Sequence, residues 1–328
     1  MNHARYLTSL AFACAMGVAG AVSAETEIRI STAAPGNAPL TDAFNHIAEV
    51  MNTTYPGEVN VTVHHSSTLF KQGTELPAMQ RGNLEMASPV TFEIEQQLPE
   101  YGVFGAAYLF RDSDHMLKVF NSEIGEQFYK DVADKMGIVI LSTAYLGTRT
   151  VNLAKVRDVK GPEDLKGVKM RMPPGAAFQT LASSLGVTPV SMPITEVYLG
   201  LKTGSIDGQD NPTNMTRDWK FDEQTEQVIL TKHLVQPVFI AINKPTFDKL
   251  TPEQQATLRK AAQEGADIQI EKTRKDELDA IQTFRDRGLT ITEVDTEPFR
   301  AAVWAAYEKE GLTKAWKPGL SDEIAAMK

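Results

Sequence analysis

The sequence is poor in reactive sulfur: its 328 residues include one cysteine, Cys14, inside the first two dozen positions. A single cysteine excludes an intrachain disulfide, and beyond position 14 there is no thiol for catalysis or metal binding. "AFAC" lacks the leucine expected three residues before a lipid-attachment cysteine, so Cys14 reads as an ordinary apolar residue. Basic clusters are also missing. Acidic side chains outnumber basic ones 42 to 33, giving a net charge of −9, and no nucleic acid partner is expected. Such a chain repels anions at long range, so any bound anion must be held by local groups. The sequence has no G-x-S-x-G, H-E-x-x-H, P-loop or G-x-G-x-x-G motif. His64 and His65 are adjacent, and adjacent strand residues face opposite ways, so they cannot share a metal ion. "DGQDN" at Asp207–Asn211 lacks the spacing and the distal glutamate of a calcium loop. The expectation is a protein that is not an enzyme and has no metal and no cofactor.

Long apolar runs are confined to the N-terminus. Arg5 is followed by an apolar stretch from Tyr6 to Val22, and "VSA" places small residues before Glu25. This is the layout of a secretory signal peptide over residues 1–24, cleaved after Ala24. Losing Arg5 lowers the basic count of 33 by one and moves the net charge from −9 to about −10. No later stretch is long enough to span a bilayer. The mature chain is expected outside the cytoplasm, with its stability resting on the core because no disulfide is available.

Two series of strands and helices follow. "TEIRIST", "EVNVTVHHSS" and "LEMAS" read as strands separated by helical "PLTDAFNHIAEVMNTT" and "GTELPAMQRGN". The region from Asp114 to Met136 is helical, and "GIVILST" is a buried-type strand. After Tyr145 a second series begins: "GTRTVNL" extended, "GPEDLKG" a helical turn, "VKMRM" a strand, "GAAFQTLASSLG" a helix, "VTPVSM" extended, "PITEVYLGLKTG" a helix and "SIDGQDNP" a strand and turn. "HLVQPVFIAIN" is a strand whose Pro237 favours an edge or a crossover. Residues from Thr251 to Gly288 form one long helix, and "LTITEV" and "EPFRAAVWAAYEKEG" add a strand and a helix. This alternation predicts an α/β protein with two lobes around a cleft, strands crossing between them and a long helix spanning both. The first lobe is expected over 25–147 and about 237–276, the second over 148–236 and about 277–328.

Arg171 stands in "KGVKMRMPPG", one residue from the carboxyl end of a strand, where ligands of open α/β sheets bind. Guanidinium is planar, permanently charged and shaped to grip two oxygens at once.

The segment "LGTRTVNL…LKGVKMRMPPG…LGVTPVSMPITEVYLGLKTGSIDGQDNP" resembles the solute-binding proteins of tripartite ATP-independent periplasmic (TRAP) transporters, the family of C4-dicarboxylate and sialic acid receptors. The likeness is dense from Gly147 to Asn243 and collinear outside it. It implies that Arg171 makes a bidentate salt bridge to the ligand's carboxylate. It implies that Arg149 reaches the same anionic group, that Asn211 makes a polar ligand contact and that His233 supports the pocket. Phe178, one turn into the helix after the Pro-Pro-Gly bend, is a candidate apolar contact; Phe92, Trp219 and Phe239 lie in segments that face either cleft or core. Pro174, Ile194 and Val90 depart from residues that some acid-sugar and sialic acid receptors carry, which argues for a smaller, less hydroxylated ligand. The implied function is a periplasmic receptor that captures a small organic anion, carboxylate or sulfonate, and delivers it to TRAP membrane permease subunits. A sensory receptor and a secreted hydrolase or lyase are the alternatives. Both arginines belong to the expected second lobe, so the first must supply the contacts that favour closure.

Overall fold

The computed structural model describes residues 25–173 and 175–328. The leader and Pro174 lie outside the described residues. Alternation builds the first strands: Ile28 and Ile30 of β1 (Thr26–Ser31) and Val59 and Val61 of β2 (Val59–His64) point into the core. Between them α1 (Pro39–Thr54) opens on a proline and buries Phe44, Ile47 and Met51 at helical spacing. The chain continues through α2 (Glu75–Gln80), β3 (Met86–Ala87), α3 (Thr91–Glu95), α4 (Ser113–Phe120) and α5 (Glu123–Met136). Asp112 and Ser122 cap the last two helices by accepting from the His115 and Ile124 N–H groups.

The next strand, β4 (Ile138–Leu153), has 16 residues. It is followed by β5 (Lys169–Met172), α6 (Ala176–Ser184), β6 (Thr188–Ser191), α7 (Val197–Thr203), β7 (Gly208–Pro212) and α8 (Thr213–Asp218). The 17-residue β8 (Gln227–Asn243) returns along β4. The chain ends with α9 (Lys244–Lys249), the 35-residue α10 (Pro252–Asp286), β9 (Thr290–Thr292), α11 (Glu297–Lys309) and α12 (Leu320–Ala326). Thr251 and Gln254 form a reciprocal capping box at the start of α10.

All nine described strands join one mixed sheet in the order β2-β1-β3-β8-β4-β7-β5-β6, with β9 on β8. The β2-β1-β3 wing and the β7-β5-β6 wing are each parallel inside. They are linked by the antiparallel β4–β8 pair. "GIVILST" and "GTRTVNL" are therefore two halves of one strand. Of the two positions expected for Pro237, an edge or a crossover, it takes the crossover: it lies in the β4–β8 pair that links the wings, with Val90 bridged to the next residue, Val238, on the other side. A proline fits this interior position because its ladder is broken there: Pro237 opposes Tyr145, and the register slips before Gly147. Gly147 has φ +134, and a Cβ on it would come within 2.5 Å of Pro212 Cβ. Only glycine takes that conformation and admits that approach.

The long helix packs on α1, β4, α8 and β9, so it runs beside both wings. Near its far end Glu277 accepts from Thr148 N–H at 2.5 Å and from the Tyr145 hydroxyl at 2.6 Å, bracketing the slip. The C-terminal tail divides: α11 packs on α6, but His115 Nε2 lies 2.9 Å from Ile324 O and Lys317 N–H donates to Glu100 O at 2.8 Å. The tail thus also touches residues expected in the other lobe. Among the described residues no helix is long and apolar enough to cross a membrane.

Candidate functional site

Arg171 is the largest fully buried side chain of the described chain. Its strand lies between β6 and β7, opposite Val190 and Gln209. Its alternation is broken at the end: Met170, Arg171 and Met172 are all buried. The guanidinium Nε donates to Met192 O at 3.0 Å and Nη2 to Gln72 Oε1 at 3.2 Å. It has no carboxylate partner among the described residues. Burial and the neighbouring Arg149 push it down to about 9, against a smaller opposing pull from Asp210.

Arg149 is equally enclosed but fully engaged. Its Nε donates to Asp210 Oδ1 at 2.8 Å and its Nη1 to Gln236 Oε1 at 2.7 Å. Nη2 donates to the Asp210 carbonyl and, at 3.4 Å, to Asn211 Oδ1. The guanidinium sits 5.1 Å above the Phe178 ring. His233 Nε2 lies 3.0 Å from the same Asp210 oxygen and its Nδ1 2.8 Å from Thr231 Oγ1. Burial alone would raise Asp210, but Arg149 and His233 outweigh it and hold the carboxyl at about 2. Asn211 spends its amide on Gln209 Oε1 at 2.6 Å. Four of the five predicted residues, Arg149, Asn211, Phe178 and His233, thus form one connected cluster, and Arg171 lies beside it. Two guanidiniums face one carboxylate, so the cluster carries a positive charge that no described acidic side chain balances.

The other wing reaches this cluster through residues that carry no sequence motif. Gln72, in the loop after β2, accepts from Arg171 and also, at 3.0 Å, from Ile194 N–H. Phe92 meets the Phe178 ring edge-on, 5.5 Å between centroids. Gln72, Glu75, Ser88, Glu93, Ile194 and Trp219 are among the residues around a cavity of about 70 Å³ between the wings. Burial and nearby Glu93 push Glu75 up to about 9; burial pushes Glu93 up to about 7 although Val90 N–H pulls the other way. Larger grooves of about 540 and 810 Å³ exist on the surface; neither arginine lines these or the small cavity, but the small cavity alone joins Arg171 through Gln72. The buried charges locate the site more firmly than groove size. Phe239 packs on Phe120 and Phe128 in the core, while Trp219 lines the cavity. Among the described residues no group of three or more metal-ligating side chains gathers.

Residues 30–312 match the family model described as bacterial extracellular solute-binding protein, family 7. The sialic acid-binding periplasmic protein of Vibrio cholerae is 27% identical over 95% of this chain and 96% of its own length. The 2,3-diketo-L-gulonate-binding periplasmic protein of Escherichia coli is 30% identical over 75% of each chain. Among solved structures, a TRAP periplasmic solute-binding protein from Roseobacter denitrificans with bound 3-deoxy-D-manno-oct-2-ulosonic acid superposes with a TM-score of 0.88. It is 36% identical and covers 92% of this chain and 99% of its own. Another from the same organism, with bound β-D-glucuronate, gives 0.86 at 28% identity, over 92% of this chain and 100% of its own. The two-winged sheet is thus that of a two-lobed receptor rather than an enzyme, and the chain belongs to the bacterial extracellular solute-binding proteins of family 7.

Proposed function

We propose that this chain is a periplasmic TRAP-type receptor that captures a sugar acid between its lobes by its carboxylate and presents it to a membrane permease. The observation that carries the reading is Arg171, fully buried with no carboxylate partner among the described residues. A buried unpaired charge is costly, and a ligand carboxylate removes that cost while forming charge-assisted hydrogen bonds. Gln72 Oε1 accepts from Arg171 and from Ile194 N–H together, the pair of donors one carboxylate oxygen would take. Arg149, fixed by Asp210 and Gln236, supplies a second positive field without needing to move.

The lobes follow the sheet. The first comprises the β2-β1-β3 wing with α1 to α5, the second the β7-β5-β6 wing with α6 to α8. The hinge lies where β4 and β8 lose register beside Gly147. Closure brings Gln72 and Phe92 onto Arg171 and Phe178, and a ligand that touches both lobes shifts the population toward the closed form. Relatives bound to octulosonic acid, glucuronate and galacturonate favour a hydroxylated acid over the smaller ligand expected from Pro174, Ile194 and Val90. The test is a thermal-shift series with these acids, succinate and an alkyl sulfonate. A ligand at 100 times its dissociation constant adds about 2.7 kcal/mol. A hydroxylated acid should raise the melting temperature most; a sulfonate or succinate giving the largest shift would overturn the sugar-acid assignment.

A further inference from the structure

We propose that Glu93, with Glu75 beside it, is the hydroxyl-recognising end of the site and selects ligands that carry hydroxyl groups distal to the carboxylate held by Arg171. This rests on the anion-binding reading above and goes beyond it by assigning the cavity on the far side of Gln72 from Arg171. Glu93 sits at the first turn of α3, where its Oε2 accepts from Val90 N–H at 3.0 Å. That bond fixes the carboxyl's orientation. The other oxygen, Oε1, is buried and has no partner among the described residues, and the residue is only 9% exposed. Glu93 and Glu75 both line the cavity that Gln72 separates from Arg171.

A buried acceptor without a donor is unfavourable, so this position calls for a donor from outside the chain. Two chemistries supply one: a hydroxyl or an ammonium. Burial, with Glu93 adding to it, pushes the Glu75 carboxyl up to about 9, and burial pushes Glu93 up to about 7, so near neutrality Glu75 keeps its proton. A protonated Glu75 and the free Oε1 of Glu93 on one cavity wall offer both a donor and an acceptor, which matches a hydroxyl's own donor and acceptor and not a cation's three donors. Val90, also on the cavity wall, adds no polar side chain; Thr32, Gln72, Ser88 and Trp219 bring polar groups to the wall, but of the lining residues only Glu75 and Glu93 are ionisable carboxyls.

The test measures affinity by calorimetry for D-glucuronate and for hexanoate, which shares the carboxylate and chain length but lacks hydroxyls. Wild type, Glu75→Leu, Glu93→Gln, Glu93→Leu and Arg171→Ala are compared. Glu75→Leu and Glu93→Leu should each weaken glucuronate binding at least tenfold and leave hexanoate within about twofold. Glu93→Gln keeps the shape and the N-terminal cap of α3, so it guards against misfolding; it should weaken glucuronate by a smaller factor and spare hexanoate. Equal loss of both acids in the glutamate variants, or loss of neither, overturns the proposal while leaving the Arg171 reading in place. Tighter wild-type binding of 6-aminohexanoate than of glucuronate overturns it in favour of an ammonium site. If Arg171→Ala changes neither acid, the anion reading fails, and this proposal fails with it.

Discussion

Replacing Asp210 by asparagine tests the buried network that holds Arg149. One carboxylate oxygen of Asp210 accepts from Arg149 Nε at 2.8 Å and stands 3.0 Å from His233 Nε2, and the residue is wholly buried. Asparagine keeps the volume and removes the charge, leaving two guanidiniums with no counter-ion. Breaking a buried pair in this way costs about 3–5 kcal/mol. For a protein of this size that corresponds to roughly 5–8 °C in melting temperature. The sign with pH follows from the direction of the shift. Asp210 is held at about 2, below its ordinary value of 3.8, so its contribution is present above about pH 4 and fades as pH falls toward 2. Scanning calorimetry of both proteins between pH 3 and 8 should therefore show a gap that is flat above pH 4 and narrows below it. A drop of less than about 2 °C at pH 7, or a gap unchanged at pH 3, would refute the idea that Asp210 neutralises Arg149.

Gln72→Ala removes the bridge between Arg171 and Ile194 N–H, a loss of about 1 kcal/mol in the ligand-free closed form. Small-angle scattering of the unliganded variant should show a larger population of open molecules; an unchanged radius of gyration would contradict the bridging role. Gly147→Ala forces a Cβ to 2.5 Å from Pro212 at φ +134 and should lower the melting temperature by several degrees, measured by circular dichroism. An unaltered melt would show that the strand slip is not rigid. Glu93 titrates near 7 when folded and near 4.5 when free, so it favours folding at acid pH and that benefit fades as pH rises through 7. Glu93→Gln should flatten the fall in melting temperature between pH 5 and pH 8; an identical fall in both proteins would remove Glu93 as its source.

Much of the fold was legible because the chain punctuates it clearly. Thr251 and Gln254 announce the long helix, and Gly204 ends α7 in the left-handed region. What failed were long-range relations. Alternation could not reveal that the strands on either side of Tyr145 are one, because the slip at Gly147 lies between them and is set by pairing with β8. Pro237 left an edge and a crossover both open, because a proline's missing N–H does not say which; the structure has the crossover, in the β4–β8 pair. The short α8, α9 and α12 are too brief to build a periodic pattern.

The site was legible on one wing only. Arg171 and Arg149 lie in a dense motif, and both fall in one buried region. Asp210 lies inside "DGQDN", where the only sequence signal is a resemblance to a calcium loop. Its true partner, Arg149, became apparent through the antiparallel register that places Val151 opposite Asp210. Gln72, Glu75 and Glu93 had no sequence sign at all, since a glutamine in a loop and a glutamate in a first helical turn are ordinary surface and capping residues. They gain meaning only when closure sets them against the second wing.

The central claim is that Arg171 is the anion clamp. Titration calorimetry of wild type and Arg171→Ala with D-glucuronate or the octulosonic acid tests it most directly. Two charge-assisted hydrogen bonds in a closed cleft are worth at least about 2 kcal/mol, so the substitution should weaken binding roughly thirtyfold or more, with an unchanged far-ultraviolet spectrum. Undiminished affinity in a folded Arg171→Ala protein would contradict it.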